Sequence, residues 1–265
     1  MGLEGRNMTS TSHWTRRETL AALHIYLQLP YGQLHRNQPR IVQLSQWLGR
    51  TANAVALKMV NLASQDPQVQ ASGRRGMGNA SSMDKQIWQD MQQDADAVIL
   101  EADANFSAYA QQQGLSGAED VADEVPEIAE GRTVTATVQV RVNQARFRRA
   151  VLASYNATCC MSGLSIPKLL VASHIVPWSM DSKNRLNPSN GLCLSAPHDR
   201  AYDQGLITVL PDFSICVTEH LRRPELDSFA QTTLAQCHGR AIRMPERFRP
   251  APALLEAHAR RFGFL

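Results

Sequence analysis

The segment between residues 169 and 205 decides the fold of the second half of the chain. Residues 169–178 have the sequence LLVASHIVPW, an apolar strand pattern that ends in His174 and a proline. Residues 190–195 (NGLCLS) predict a second short strand. Residues 196–205 (APHDRAYDQG) predict a short helix with a proline in its first turn and a glycine just past its end. The order is therefore strand, loop, strand and helix, with His174, Asn190 and His198 at the joints.

Four stretches between Phe147 and Ile207 carry a family resemblance. They are residues 159–164 (CCMSGL), 172–178 (ASHIVPW), 185–192 (RLNPSNGL) and 198–207 (HDRAYDQGLI). In order and spacing they resemble the HNH endonuclease family, and within it a restriction-endonuclease-like subgroup with a helical N-terminal domain. The resemblance implies a ββα-metal finger that hydrolyses DNA phosphodiester bonds and leaves 5′-phosphate and 3′-hydroxyl ends.

The resemblance also implies a role for each joint residue. His174 would be the general base, since a neutral imidazole has a pKa near working pH. His198 would bind the metal from the first turn of the helix. Asn190 would fix the loop between the strands by hydrogen bonds and so orient His174. We expect a divalent cation as Lewis acid, with Mg²⁺ preferred and Mn²⁺, Co²⁺ or Ni²⁺ as alternatives.

The predicted metal shell departs from the family pattern. Ser173 holds the place where many HNH sites carry an acidic residue or a second histidine, and a hydroxyl is a weak cation ligand. Asp203 is the preferred second ligand, or the residue that orients His198. Asp199 lies on the same helix face as Asp203, but it is equally explained as a carboxylate stabilised by the helix dipole. Two complete Cys-x-x-Cys pairs are missing, so no structural zinc is expected.

The first part of the chain predicts helices. Thr15 caps one helix and Glu18 completes a capping box. Residues 39–48 predict a second helix, Gly49 ends it, and Thr51 caps a third. Residues 84–109 predict one acidic amphipathic helix. The second and third helices resemble a helix-turn-helix, and an ordinary helical hairpin is the alternative. In a helix-turn-helix the polar residues of the third helix would reach DNA; here they are Arg50, Thr51, Asn53 and Lys58.

Charge is segregated along the chain, although the net charge is only +3. Residues 1–75 carry a net +6, residues 76–133 a net −10 and residues 134–265 a net +7. Basic modules suit a polyanion, because lysine and arginine displace counterions from phosphates. We expect Arg185 and Arg200 to contact phosphates, although either would also serve in a structural salt bridge.

These patterns predict an α+β protein. Residues 1–110 would form a helical, helix-turn-helix-like DNA-binding domain, residues 111–132 an acidic linker, and residues 133–265 an HNH nuclease domain that opens with a β-branched strand over 133–142. The odd set of five cysteines favours a reducing, cytoplasmic compartment. No apolar run approaches the roughly 20 residues that span a bilayer, and the polar N-terminus is unlike a secretory signal.

The predicted function is a metal-dependent endonuclease in restriction or another defence role, with double-stranded DNA as its partner. A double-strand cutter needs two active sites, so a homodimer is expected. The alternative is a DNA-binding regulator with a degenerate HNH domain, which Ser173 motivates. A nuclease held inactive until a signal releases it is a further alternative.

Overall fold

The computed structural model describes residues 13–73, 80–115, 132–223 and 225–265, with the backbone alone for residues 132–137. The chain divides into two compact units, residues 1–123 and 124–265. Residues 116–131, which make up most of the predicted linker, lie outside the described residues. None of the described helices is long and apolar enough to cross a membrane.

The described part of the first unit is helical. Its helices are α1 (Arg16–Gln28), α2 (Pro39–Trp47), α3 (Ala52–Ala63), α4 (Pro67–Ala71), α5 (Ser82–Gln93) and α6 (Ala95–Gln112). The caps predicted at Thr15 and Thr51 are confirmed, since each hydroxyl accepts a hydrogen bond from a backbone N–H of the first turn. Gly49 ends α2 in the left-handed region, with φ of 62°. The single helix predicted over 84–109 is wrong, because Asp94 ends α5 and caps α6.

The second unit places a small finger against a long helix. Its elements are α7 (Arg132–Ser154), β1 (Leu170–His174), β2 (Gly191–Ser195), α8 (Ala196–Asp203), β3 (Ile207–Val209), β4 (Ile215–Val217), α9 (Ser228–Thr233) and α10 (Pro252–Arg261). Strands β1 and β2 are antiparallel, with Ser173 opposite Leu192 and His174 opposite Gly191. Strands β3 and β4 form a second antiparallel hairpin. The predicted strand, strand and helix order is therefore present.

The strand predicted over 133–142 is wrong, because this segment is helical and belongs to α7. Its β-branched residues favour a strand only where a neighbouring strand or a sheet face can bury them. Here Val138 and Val140 are 40% and 41% exposed. No described strand pairs with this segment, and it is continuous with the helix that runs on to Ser154.

A close approach between α7 and the finger fixes where β2 lies. A Cβ atom added at Gly191 would lie 2.3 Å from Cγ2 of Val151 and 2.9 Å from Cζ of Phe147. Only glycine permits this contact. Phe147 and Val151 are in the buried core of the unit, together with Leu192 and Leu194 of β2. This packing brings the ring of Phe147 to the end of the β1–β2 hairpin, where His174 lies.

Candidate active site

His174, the last residue of β1, is held on three sides. Its ring stacks on Phe147, with centroids 3.7 Å apart and an interplanar angle of 10°. Trp178 meets it edge-on at 5.8 Å and 88°. Its Nε2 lies 2.9 Å from the backbone oxygen of Arg185. A carbonyl only accepts, so Nε2 carries the proton and Nδ1 carries the free lone pair.

The surroundings of His174 favour its neutral form. Burial lowers the pKa of His174 below the ordinary imidazole value. The hydrogen bond to Arg185 and the negative charge of Asp203 act in the opposite direction without overcoming it. His174 is therefore neutral at physiological pH, the state in which it can accept a proton.

Asn190 holds both ends of the loop that follows β1. Its side chain is buried. Its Oδ1 accepts from the backbone N–H of Val176 at 2.9 Å, and its Nδ2 donates to the backbone oxygens of Val176 at 3.1 Å and Asn184 at 2.9 Å. These bonds fix the chain immediately after His174 and the chain immediately before Arg185, whose backbone oxygen holds the imidazole.

Ser173, which precedes His174, and Asp199 and Asp203 on α8 supply a group of oxygen atoms near the end of β1. Ser173 is buried. Burial and the charge of Asp203 raise the pKa of Asp199, although a hydrogen bond with the Ser173 hydroxyl acts in the opposite direction. Asp203 is exposed one helical turn further on. Two like charges and a buried hydroxyl form a site that a cation would stabilise.

This oxygen-rich group is sparse as a metal shell. Over the described ranges, no group of three or more histidine, cysteine, aspartate or glutamate side chains is arranged to hold a metal ion. Mg²⁺ commonly binds to one or two carboxylates and keeps several of its waters. The pair of carboxylates with Ser173 fits that coordination chemistry and does not fit a cation that needs a complete protein shell.

The decisive comparison concerns the finger itself. Residues 159–210 match the family model of HNH endonucleases. The resemblance noted in the sequence is thereby confirmed for this part of the chain, which we call the HNH segment. A search among curated proteins gives no match to the chain. The HNH segment includes β1, β2, α8 and β3, whereas Phe147 on α7 lies outside it.

His198, in the first turn of α8, is bonded to the protein through both ring nitrogens. It is fully buried. Its Nδ1 lies 2.7 Å from Ser195 Oγ, and its Nε2 lies 2.9 Å from the backbone oxygen of Thr233 and 3.6 Å from Sγ of Cys237. This position does not fit the predicted role of metal ligand, because neither nitrogen is directed to an open site.

Cysteines give His198 an unusual electrostatic setting. Burial lowers the pKa of His198, but interactions with Cys159 and Cys237 outweigh it and raise the value to about 9. Burial likewise raises the pKa of Cys159, and interactions with His198 and Ser162 lower it to about 6. The shifts at His198 and Cys159 have opposite directions and favour an imidazolium and a thiolate.

The two arginines predicted to contact phosphates differ in how far they are engaged with the protein. Arg185 donates from Nε to the backbone oxygen of Trp178 at 3.0 Å, and its guanidinium lies over the Trp178 ring at 5.4 Å. It therefore supports the loop through the backbone and the ring of Trp178. Arg200 is exposed on α8, one residue after Asp199.

The predicted DNA-reading residues of the first unit separate into two pairs. Lys58 and Arg50 are engaged within the unit: Lys58 Nζ lies 2.8 Å from Asp84 Oδ1, and Arg50 Nε lies 3.1 Å from Glu18 Oε1. The Lys58 side chain is 5% exposed and that of Arg50 is 11% exposed. These ion pairs engage both cations within the unit and do not support their predicted contact with DNA.

The other pair remains available at the surface. Thr51 and Asn53 are exposed at the start of α3, although the Thr51 hydroxyl is engaged as the helix cap. Both helices of the predicted helix-turn-helix are present, but without Arg50 and Lys58 the α3 face that would meet DNA has lost its predicted cations.

Sequence reasoning missed Phe147, which gave no signal because its contact with His174 depends on how α7 packs. It did name Asp199, which shares a helix face with Asp203, but preferred Asp203 as the ligand.

Proposed function

We propose that this protein is a metal-dependent endonuclease that hydrolyses DNA phosphodiester bonds, with His174 as its general base. One observation carries the proposal: the imidazole is fixed by Phe147, Trp178 and the Arg185 carbonyl, with Nδ1 left to accept a proton. The negative charge of Asp203 also acts on this imidazole, so a carboxylate of α8 lies near it. The match of residues 159–210 to HNH endonucleases supports the same activity.

The protein's part in the reaction follows from this geometry. His174 Nδ1 takes a proton from the water that attacks phosphorus, since burial keeps the imidazole neutral. Asn190 acts as a positioning residue, because it bonds the chain at Val176, two residues after His174, and at Asn184, the residue before the Arg185 carbonyl. Positioned general bases typically accelerate such steps by about 10²–10⁴-fold.

We propose that Asp199 and Asp203, with Ser173, hold the divalent cation. The support is the pair of carboxylates one turn apart on α8, with the buried Ser173 hydroxyl next to Asp199. When bound, the cation would act as a Lewis acid that neutralises charge on the phosphate and the leaving oxygen. Mg²⁺ is the preferred ion for oxygen ligands of this kind. His198 then has a structural role, holding α8 against Ser195 and Thr233.

DNA is the proposed partner. Arg200 is the exposed cation nearest Asp199 in the chain and the proposed phosphate contact of the HNH segment. Thr51 and Asn53 are the remaining candidates for a DNA-selecting role in the helical unit. A restriction or defence role follows from the subgroup resemblance and remains a proposal, as does a cytoplasmic location. Double-strand cutting would require a homodimer or two successive nicks.

Nicking of supercoiled plasmid tests the activity. Purified full-length chain is assayed with Mg²⁺, Mn²⁺, Co²⁺ and Ni²⁺, on unmodified and on methylated or hydroxymethylated DNA. We expect His174→Ala and Asp199→Ala to reduce nicking by about 10²-fold or more. The matched controls are His220→Ala and Glu256→Ala, which remove an exposed histidine and a carboxylate that is partly exposed on α10. Nicking at the wild-type rate by His174→Ala, or none by the wild type on any substrate, would contradict the proposal.

One observation favours the alternative of a DNA-binding regulator with a degenerate HNH domain. It is the sparse metal shell, which lacks a third charged or imidazole ligand among the residues described. Calorimetry with Mn²⁺ separates the two functions. The endonuclease should bind Mn²⁺ and lose that binding in Asp199→Ala, whereas a regulator should bind DNA and give no heat with Mn²⁺.

A further inference from the structure

Helix α10 lies outside the HNH segment, which ends at residue 210, but it packs against β3, the last strand of that segment. The buried side of α10 includes Leu255 and His258. Leu255 belongs to the same buried core as Tyr202 of α8 and Ile207 of β3. The finger is therefore completed by a helix that the family model does not cover.

One ring of α10 holds the last turn of α8. The His258 ring stacks on the Tyr202 ring, with centroids 3.8 Å apart and an interplanar angle of 13°. Nδ1 of His258 lies 2.8 Å from Oγ1 of Thr208 on β3. All three side chains are buried. His258 therefore fixes Tyr202 from one side, while it is itself bonded to the neighbouring strand.

A second ring meets the chain just past the end of α8. A Cβ atom added at Gly205 would lie 2.1 Å from Cδ1 of Phe262, the residue that follows α10. Gly205 has a φ of 67°, so both its backbone conformation and this contact require glycine. The rings of His258 and Phe262 are 4.9 Å apart. Together they contact the chain before and after Asp203.

Asp203, the proposed second carboxylate of the cation site, lies between these two contacts in the chain. Its side chain is exposed, so burial does not fix its direction. The direction follows from the backbone of the last turn, since each residue of an α-helix is rotated by about 100° from the one before. A small rotation of that turn would therefore move the Asp203 carboxylate away from Asp199.

The last turn of α8 needs support from outside the helix. The helix has only 8 residues, and the final carbonyl groups of a helix have no intrahelical partners. Local opening is easiest at such ends. We propose that α10 fixes this turn and that His258 is a positioning residue, which holds the Asp203 carboxylate where it can bind the cation. The proposal rests on the proposed endonuclease function, because that function supplies the cation site.

Mn²⁺ binding tests this role without requiring cleavage. Calorimetric titrations compare the full-length wild type with His258→Leu, which keeps an apolar side chain at this position but removes the ring. Loss of a residue that orients a metal ligand typically costs about 10–100-fold in metal affinity. Asp203 is one of two proposed carboxylates, so we expect the low end, about a tenfold weaker Mn²⁺ affinity. DNA affinity in EDTA should equal that of the wild type, because binding without a cation does not use this site.

His258→Phe is the matched variant. It keeps a flat ring against Tyr202 and, like His258→Leu, loses the hydrogen bond to Thr208, so both variants should lose similar stability in urea unfolding. His258→Phe should nevertheless bind Mn²⁺ almost as tightly as the wild type. Arg260→Ala removes an exposed side chain of the same helix and should leave the Mn²⁺ affinity unchanged.

Phe262→Leu tests the same turn from its other side. It removes the ring that lies against Gly205 and should also weaken Mn²⁺ binding by about tenfold. It provides the test if circular dichroism shows that His258→Leu does not fold. Wild-type Mn²⁺ affinity in either folded leucine variant, an equal loss in His258→Phe and His258→Leu, or a matching loss of DNA affinity would overturn the positioning role.

Plasmid nicking with Mn²⁺ distinguishes this proposal from the function on which it rests. A wild type that binds Mn²⁺ and nicks DNA, with the same Mn²⁺ affinity in His258→Leu, overturns the positioning role and leaves the endonuclease in place. A wild type that gives no heat with Mn²⁺ overturns both the cation site and the positioning role. Weaker Mn²⁺ binding in His258→Leu but not in His258→Phe, without nicking by the wild type, supports the positioning role and contradicts the endonuclease.

Discussion

Replacing Lys58 by alanine should destabilise the first unit without acting through DNA. The Lys58 ammonium is 2.8 Å from Asp84 Oδ1, and the two side chains are 5% and 0% exposed. Its Nζ also lies 5.0 Å from the centre of the Trp14 ring. Removing it leaves the Asp84 carboxylate buried without its cation, which is the costly way to break such a pair.

The magnitude follows from what remains around Asp84. Breaking a buried ion pair from one side typically costs about 3–5 kcal/mol. Asp84 keeps hydrogen bonds from the backbone N–H of Ser81 at 2.8 Å and from its hydroxyl at 2.9 Å. These bonds offset part of the lost interaction, so we expect the low end of the range, about 3 kcal/mol. Lys58→Met, which keeps the aliphatic stem but not the charge, should cost nearly as much.

Urea unfolding followed by tryptophan fluorescence measures this effect. Three of the four tryptophans, at positions 14, 47 and 88, are in the first unit, so the signal reports mainly on that unit. The control is Lys85→Ala, an exposed lysine one residue from Asp84 that should change stability by less than about 0.5 kcal/mol. Wild-type stability in Lys58→Ala together with weaker DNA binding would refute the reasoning and return Lys58 to the DNA surface.

Three further substitutions test the second unit. Burial lowers the pKa of His258, which lies against Tyr202 and beside Arg261, to about 4. As pH falls from about 6.5 to 4, the unfolded chain binds a proton at this histidine before the folded chain does, so the second unit should lose about 3 kcal/mol of stability. His258→Gln should reduce this loss of stability, as measured by urea titrations at each pH. Gly191→Ala should destabilise the unit by about 1–3 kcal/mol, because the added Cβ overlaps Val151, and a thermal shift that is absent would contradict the close packing. Asn190→Ala leaves the Val176 N–H and oxygen without their partner, so nicking should fall more than DNA affinity, and an equal fall in both would argue against a positioning role.

Local signals predicted the elements of this protein well. The Thr15 and Thr51 caps and the proline in the first turn of α8 each depend on residues within one helical turn. The β1 and β2 strands are short apolar runs bounded by polar loops. The strand predicted over 133–142 is wrong because β-branched residues favour a strand only where a neighbouring strand pairs with them. No described strand pairs with this segment, which is part of α7.

The sequence did not show which acidic residues the predicted DNA-binding cations would pair with. Arg50 pairs with Glu18 across 32 residues, and Lys58 pairs with Asp84 across 26. Such separations are set by how the helices pack, so a basic residue at the start of a predicted recognition helix has the same sequence pattern whether it faces DNA or the core. The net charge of residues 1–75 is therefore a poor guide to the number of cations in the first unit that could contact a phosphate.

The assignment of the metal ligands depends on the phase of one short helix. Neighbouring residues of an α-helix point about 100° apart, whereas residues four apart return to the same side. In α8, His198 faces Ser195 and Thr233, which turns Asp199 toward Ser173 and brings Asp203 to the same side. Like charges four apart are unfavourable in a helix unless a cation lies between them. The two carboxylates therefore fit a cation site. The proposed ligand is Asp199, together with Asp203, and no longer His198, which is the histidine of the motif.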